Sequence, residues 1–385
     1  MTRKPGSARK TPRSMLGMSL VEILVATAVG LIGVTMIMQV YAVAEAQKRT
    51  TTGASDAQIS GNIALFSIER DLRYAGFGMV TNAGNMLGCN THAYDSLRPA
   101  NQDFTFEMAP VIITVGAGGS SDTIKVIYGN TFSVIEGASF SAGATSDLDF
   151  PLKNAAGFRV GGVVVAAETA KDCVVAEVTG FIPASVNTVQ HVPGAAYSYT
   201  DTTGTVVNAT AHLNKAGGLG GPVAYTTAAK LYAIGRNPVI KTFKVVSDKL
   251  VSDGDLPYIA AQDPDGDGIS TAELGSGIVQ IKAMYGKDTD LDAARTVDTW
   301  NTTKPTTAVE WMQVRAVKVA ILARSGLYEK TAVTGAAPTW KHPATGAPIA
   351  FVMANLADGT DWHNYRYRVY ETTVPLRNLI WSNDP

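Results

Sequence analysis

Apolar residues follow three regimes along the chain. From Met18 to Ala44 they run almost unbroken, with Glu22 and Gln39 the only strongly polar side chains. Those 27 residues, at about 1.5 Å of rise each, make a helix of roughly 40 Å, enough to cross the hydrocarbon of a bilayer. Between Ile59 and Leu72 the pattern turns helical and two-faced. At about 100° per residue, Ile59, Ile63 and Phe66 fall on one side and Leu65, Ile68 and Leu72 nearly opposite. The helix is therefore predicted to continue beyond the membrane segment to about Tyr74, with a loosened stretch around Thr50-Thr51-Thr52-Gly53, and to stop at Gly76-Phe77-Gly78. A surface helix needs one apolar stripe. Two stripes predict one face packed on the chain's own sheet and one meeting other subunits, the alternative being that a large C-terminal domain covers both.

The third regime is strand-like. Pro110 to Val115, Thr123 to Tyr128, Phe158 to Ala166, Cys173 to Thr179, Lys230 to Ile234, Val239 to Val246, Ile278 to Tyr285, Val314 to Ala323 and Tyr365 to Thr373 have the β-branched and aromatic content of buried or half-buried strands. Gly- and Thr-rich stretches at 136–149, 184–228 and 331–348 read as long connections. The expected class is α+β, a long N-terminal α-helix with a membrane half and an amphipathic half, packed on a large antiparallel β-rich domain.

Charge orients this arrangement. Arg3, Lys4, Arg9, Lys10 and Arg13 precede the apolar helix with no acidic residue among them, which predicts a cytoplasmic N-terminus and an exported C-terminal mass. Beyond residue 17 the chain holds 27 basic and 33 acidic residues, a net −6 that offers nucleic acid no electrostatic footprint. At 46% hydrophobic and 17% charged residues it is not a disordered chain. Cys89 and Cys173 both fall on the exported side, where thiols are oxidised, and a single disulfide between them is expected, contributing about 4 kcal/mol by the loop-entropy argument.

The run Gly17-Met18-Ser19-Leu20-Val21-Glu22 joins the basic and apolar segments. A carboxylate at the mouth of a membrane helix is costly and points to function. The run resembles the class III signal of type IV prepilins and pseudopilins. That resemblance implies cleavage after Gly17 by a prepilin peptidase, N-methylation of Met18 (where the family usually has Phe), and a Glu22 carboxylate that offsets the amine of a neighbouring subunit. Ile63 to Gly78 is similar to the helix end of PilW-type minor pilins, with Cys89 following as in that family. Val314 to Ser325 and Tyr367 to Asn378 look like that family's closing strands; residues 90–225 carry no such likeness.

The resemblance implies a leader at 1–17, a pilin helix at 18–76 with its transmembrane part at 22–44, and a pilin-like periplasmic or extracellular domain at 77–385. It also implies a structural and non-enzymatic minor pilin (pseudopilin) in the assembly, initiation or tip of a type IV pilus. Its implied partners are other minor pilins, the major pilin, the inner-membrane assembly platform, the prepilin peptidase and a tip adhesin. The protein would pass once through the inner membrane before entering the pilus at the cell surface. A type II secretion pseudopilin and a signal-anchored, calcium-binding periplasmic adhesin are the alternatives.

Two acidic runs complete the candidate chemistry. Asp263, Asp265 and Asp267 alternate ahead of Ile269 and Glu273, with Gly266 at the bend, across an EF-hand-like loop at 263–273. Three carboxylates, the Ile269 carbonyl and a distal Glu273 would make an oxygen cage suited to a structural Ca2+, although the acidic residue stands at position eleven and not at twelve. Asp288, Asp290, Asp292 and Asp298 repeat the spacing without the glycine and form a weaker candidate, or lend a ligand to the first loop. His92, His191, His212, His342 and His363 show no ligand spacing, and there is neither a nucleophile elbow nor a phosphate loop.

Overall fold

The computed structural model describes residues 17, 19–79, 84–131, 136–144, 148–183, 185–217, 224–290, 296–356 and 358–380. The chain divides into a unit that ends at Gly53 and a second that begins at Ala54. In the first, the helix that runs Leu20–Tyr74 carries a 26-residue apolar stretch, Leu20–Glu45, none of which is buried within the protein. Thr27 and Thr35 fit this apolar environment because each hydroxyl donates to a carbonyl three residues earlier, Leu24 O at 2.9 Å and Ile32 O at 2.8 Å. The expected loosening at 50–53 does not occur. The helix is continuous there, and the Thr51 hydroxyl bonds back to Gln47 O at 3.0 Å, holding the polar run in helical register.

In the second unit the helix sorts its faces as the periodicity predicts. Ala57, Ala64, Ile68, Leu72 and Ala75 are buried in the main core. Ile59, Ile63 and Phe66 are 57%, 50% and 65% exposed, so the alternative in which the domain covers both stripes is excluded for this chain alone. Small residues bring the backbone close to the sheet. A Cβ on Gly61 would lie 2.2 Å from the Tyr370 ring, so glycine is what permits this contact. Asp71, almost fully buried, is held by Lys241 Nζ at 3.1 Å and Arg70 Nε at 3.1 Å. The helix ends at Tyr74, as expected, and Asn378 Nδ2 donates to its last carbonyls, Tyr74 O at 3.2 Å and Ala75 O at 3.0 Å.

Of six sheets among the described residues, the three largest build most of the domain. One has the strand order Asp103–Glu107, Asn90–Tyr94, Cys173–Glu177, Val163–Ala167, Lys230–Gly235, Ala138–Ser139, with the Asn90 and Cys173 strands parallel. A second runs Ser270–Ser276, Lys249–Leu256, Val239–Val246, Thr123–Tyr128, Val111–Thr114, antiparallel throughout. The third runs Thr299–Asn301, Ile278–Lys287, Val314–Arg324, Tyr367–Pro375, also antiparallel. Ile124, Val126 and Phe243 of the second sheet and Ile281, Val319 and Ile321 of the third join the helix face in one core. The first sheet is buried on both sides. Val163, Val165 and Val175 face the main core, while Val164, Ala166 and Val174 pack under Phe140, Phe150 and Val189 in a second one.

The expected disulfide is present. Cys89 and Cys173 join where the Asn90 and Cys173 strands begin to pair, 84 positions apart in sequence.

The three expected long connections need correction. The 184–228 region contains strands Ser185–Gln190, Ala196–Thr200 and Val206–Thr210, and short strands also lie in or at the edges of the other two. The Ala196 and Val206 strands pair only with each other and stay half exposed, so no apolar stripe marks them in the sequence. Lys249–Leu256, polar in composition, is a strand because neighbours on both sides satisfy its backbone.

The two helix faces predict opposite responses to truncation. Ile68→Ala should lower the unfolding free energy by about 2–5 kcal/mol and Ile63→Ala by at most about 0.5 kcal/mol. Guanidinium titration of the detergent-solubilised chain, followed by tryptophan fluorescence, measures both.

Candidate functional site

At the N-terminal end, leader residues 1–16 and Met18 lie outside the described residues; Gly17 is described and exposed. The helix starts at Leu20, and Glu22 sits exposed in its first turn. A carboxylate there complements the positive end of the helix dipole as well as any amine brought beside it. The second candidate surface is the outer stripe Ile59, Ile63, Phe66, which stays at least half exposed among the described residues.

The loop from Asp263 is a tight, self-bonded turn. Asp263 is buried, its Oδ1 accepting from Asp267 N at 3.1 Å and its Oδ2 from Gly268 N at 3.0 Å and the Tyr258 hydroxyl at 2.9 Å. Asp267 Oδ1 accepts from Ile269 N at 2.8 Å. One carboxylate oxygen from each of Asp263, Asp265 and Asp267 lies within 4.8 Å of the others. Gly268 is required by a close approach, since a Cβ there would stand 2.1 Å from Ala100 O.

Glu273 does not join them. It sits on the strand Ser270–Ser276, opposite Val251, and its carboxylate pairs with Lys249 Nζ at 2.7 Å. The strand begins three residues before Glu273, and its pleat carries that side chain away from the turn. Ile269 is bonded here through its N–H, which donates to Asp267 Oδ1.

The second acidic run is brought together by strand pairing. Lys287 faces Thr299 in the antiparallel ladder, so Asp288 and Asp298 meet where the two strands diverge, and Asp298 N donates to Lys287 O at 3.0 Å. Asp288, Asp290 and Asp298 each bring a carboxylate oxygen within 4.8 Å of the others; Asp292 lies outside the described residues. Asp288 and Asp290 do not join the first loop, so the two runs make two separate clusters.

Asp288 is fully buried, and Arg315 Nε reaches its Oδ2 at 3.2 Å while Arg315 Nη1 donates to Leu379 O at 3.0 Å. Sequence reasoning passed over Arg315, although a lone arginine in the apolar run Val314 to Ala323 was a legible signal for a buried acidic partner. Asp298 Oδ2 accepts from Thr289 N at 2.8 Å and Thr289 Oγ1 at 2.9 Å.

The histidines are dispersed. His92 pairs with Asp172 at 2.8 Å, His212 with Asp95 at 2.9 Å and His363 with Asp361 at 2.6 Å. His191 is buried against Phe150, and this burial pulls its pKa down to about 4.

Residues 253–378 match the family model PilW, Type IV Pilus-assembly protein W. The matched stretch spans both acidic clusters, Arg315, the closing strands and Asn378. The Ile63 to Gly78 likeness lies outside it. Among solved structures, a type IV-like pilin from Thermus thermophilus matches at 12% identity, covering 57% of this chain and 87% of that one with a TM-score of 0.23, too low to argue from. No curated protein matches. The N-terminal apolar helix is a candidate membrane anchor.

Asp263 supplies a pH prediction. Burial pushes its carboxyl up, but the Tyr258 hydroxyl and the Gly268 N–H pull harder, holding it below the usual carboxylate range. A folded value below the unfolded one means that its contribution is complete above about pH 4 and is lost as pH falls through the folded value. Stability should therefore fall on acidification below about pH 4, and Asp263→Asn should flatten part of that slope, read from urea midpoints across the acid range.

Proposed function

We propose that the chain is a minor pilin that acts structurally in a type IV pilus, in its initiation complex or at its tip. The observation that carries this reading is the split of the helix beyond Gly53. One face is buried in the domain, and the opposite face presents Ile59, Ile63 and Phe66 to solvent. An exposed apolar stripe in a chain that also carries a membrane-length apolar helix suits a rod that packs among other such rods. The PilW-type match of the last third supports the same assignment. A domain running from Ala54 to Pro385 is bulky to repeat at every step of a fibre, which favours an end position. The partners on this reading are other minor pilins, the major pilin, the inner-membrane platform and a tip adhesin, with the N-terminus cytoplasmic and the domain periplasmic before assembly.

Glu22 is proposed as the assembly residue. In a packed bundle its carboxylate would neutralise the new amine at Met18 of a neighbouring subunit, two charges that a greasy surround would otherwise leave isolated. Mass spectrometry of the native protein should find a mature N-terminus at Met18 bearing a methyl group; a chain that retains residues 1–17 would instead be a signal-anchored domain. Glu22→Ala should leave the domain folded by circular dichroism while reducing the amount recovered in sheared pili about tenfold or more, an isolated charge in lipid being worth several kcal/mol. Undiminished incorporation would remove the charge-pairing role.

A further inference from the structure

The ribbon of Ala196–Thr200 and Val206–Thr210 pairs only with itself, in unbroken antiparallel register. Asp201 N donates to Thr205 O and Ala211 N to Ala195 O, both at 2.9 Å. Bonded pairs alternate along such a ladder, so Tyr197–Ala209 and Tyr199–Val207 are the bonded ones. The N–H and C=O groups of Val206, Asn208 and Thr210 therefore point outward along the edge, and they take no partner outside the ribbon among the described residues. The ribbon itself is anchored. The Tyr197 hydroxyl donates to Glu177, and the Arg236 guanidinium lies 3.7 Å over the Tyr199 ring. Native sheet edges are usually blunted by charge, proline or a bulge. Among the described residues, every other edge strand of five or more residues is charged: Asp103–Glu107 at both ends, Ser270–Ser276 at Glu273, and Tyr367–Pro375 at Arg368 and Glu371. The two ribbon strands carry no charge, no proline and no bulge.

We propose that the outer edge of Val206–Thr210 is where two copies of this chain pair, antiparallel about a two-fold axis at Asn208. Asn208 of each copy then faces Asn208 of the other, and Val206 of each faces Thr210 of the other. The occupant follows from the edge's own pattern. An outward row of alternating donors and acceptors is complemented by another extended strand. This row, centred on Asn208, is its own complement when reversed, and two-fold pairing is the commonest symmetry of oligomers. With no charge at 206, 208 or 210, two copies meet without repulsion, and Val opposite Thr is a β-branched pair. Val206 is 62% exposed in the single chain and gains cover in the pair. The opposite edge offers Ala196, Ser198 and Thr200, with no comparable apolar side chain. A lone two-stranded ribbon is marginal, and pairing makes one four-stranded sheet of two such ribbons. The contact of one five-residue edge is small against the roughly 1,200 Å² that a stable interface buries, so the association is weak. The inference rests on the ribbon alone and does not need the pilus reading.

Sedimentation equilibrium of the full chain in density-matched detergent, from micromolar to near-millimolar concentration, tests this. The wild type should form dimers at the upper end. Asn208→Lys and Asn208→Glu should each raise the dimer dissociation constant about fivefold or more, since like charges then stand face to face. An equimolar mixture of the two variants should recover the dimer. Asn208 is exposed, so each variant should keep the wild-type melting temperature, which rules out misfolding as the cause. Asn208→Cys should cross-link to itself on mild oxidation, because directly bonded strand partners hold their Cα atoms about 5.5 Å apart, within disulfide reach. Thr203→Cys, in the turn of the ribbon, should not. A wild-type chain that stays monomeric throughout would overturn the proposal and leave the edge to a different polypeptide. So would a dimer that neither charged variant weakens, which would belong to another surface such as the exposed helix stripe, and so would a mixture that fails to recover it.

Discussion

The burial of one narrow face of the long helix is the constraint on which the domain depends. Ala57, Gly61, Ala64, Ile68 and Leu72 recur at helical spacing, and the sheets close over that line. The small residues matter as much as the large ones. Gly61 lets the helix backbone meet the Tyr370 ring, and the alanines keep the approach close enough for Ile68 and Leu72 to reach the core shared by the three large sheets. Because only this stripe is buried, the opposite stripe of Ile59, Ile63 and Phe66 stays exposed, and on the proposed reading the two faces of one helix serve folding and assembly separately.

Buried charge is handled by pairing across elements distant in sequence. Asp71 on the helix takes Lys241 of the second sheet, Asp122 takes Lys282 at 3.0 Å, and Asp288 takes Arg315. Such pairs add little net stability, because desolvation offsets most of the attraction, but losing one partner strands the other. They therefore fix which elements meet. The two acidic clusters follow the same rule with different results. The Asp263 turn closes on its own N–H groups, whereas Asp288 is held by a guanidinium on one oxygen only.

Most of the helix was legible from the chain because its signals are periodic and local. The apolar length, the stop at Tyr74 and the sorting of Ile63 from Ile68 all follow from 3.6-residue geometry. Strands rich in β-branched and aromatic residues, such as Thr123–Tyr128 and Val239–Val246, were equally readable. Lys249–Leu256 and Ala196–Thr200 were not, since polar strands are held by ladder partners that no local pattern announces. Glu273 shows the same limit in a site. Spacing placed it among the loop's ligands, but strand pleating carries it to Lys249.

By itself the sequence determined the membrane-length helix, its two faces, the disulfide and the two acidic runs, all of which rest on near-neighbour periodicity, composition and spacing. Tertiary structure alone decided which stripe is buried, which carboxylates converge and which oxygen is left without a donor. Those outcomes depend on contacts such as Asp288 with Arg315 and Gly61 with Tyr370, where residues far apart along the chain meet and desolvation sets the balance.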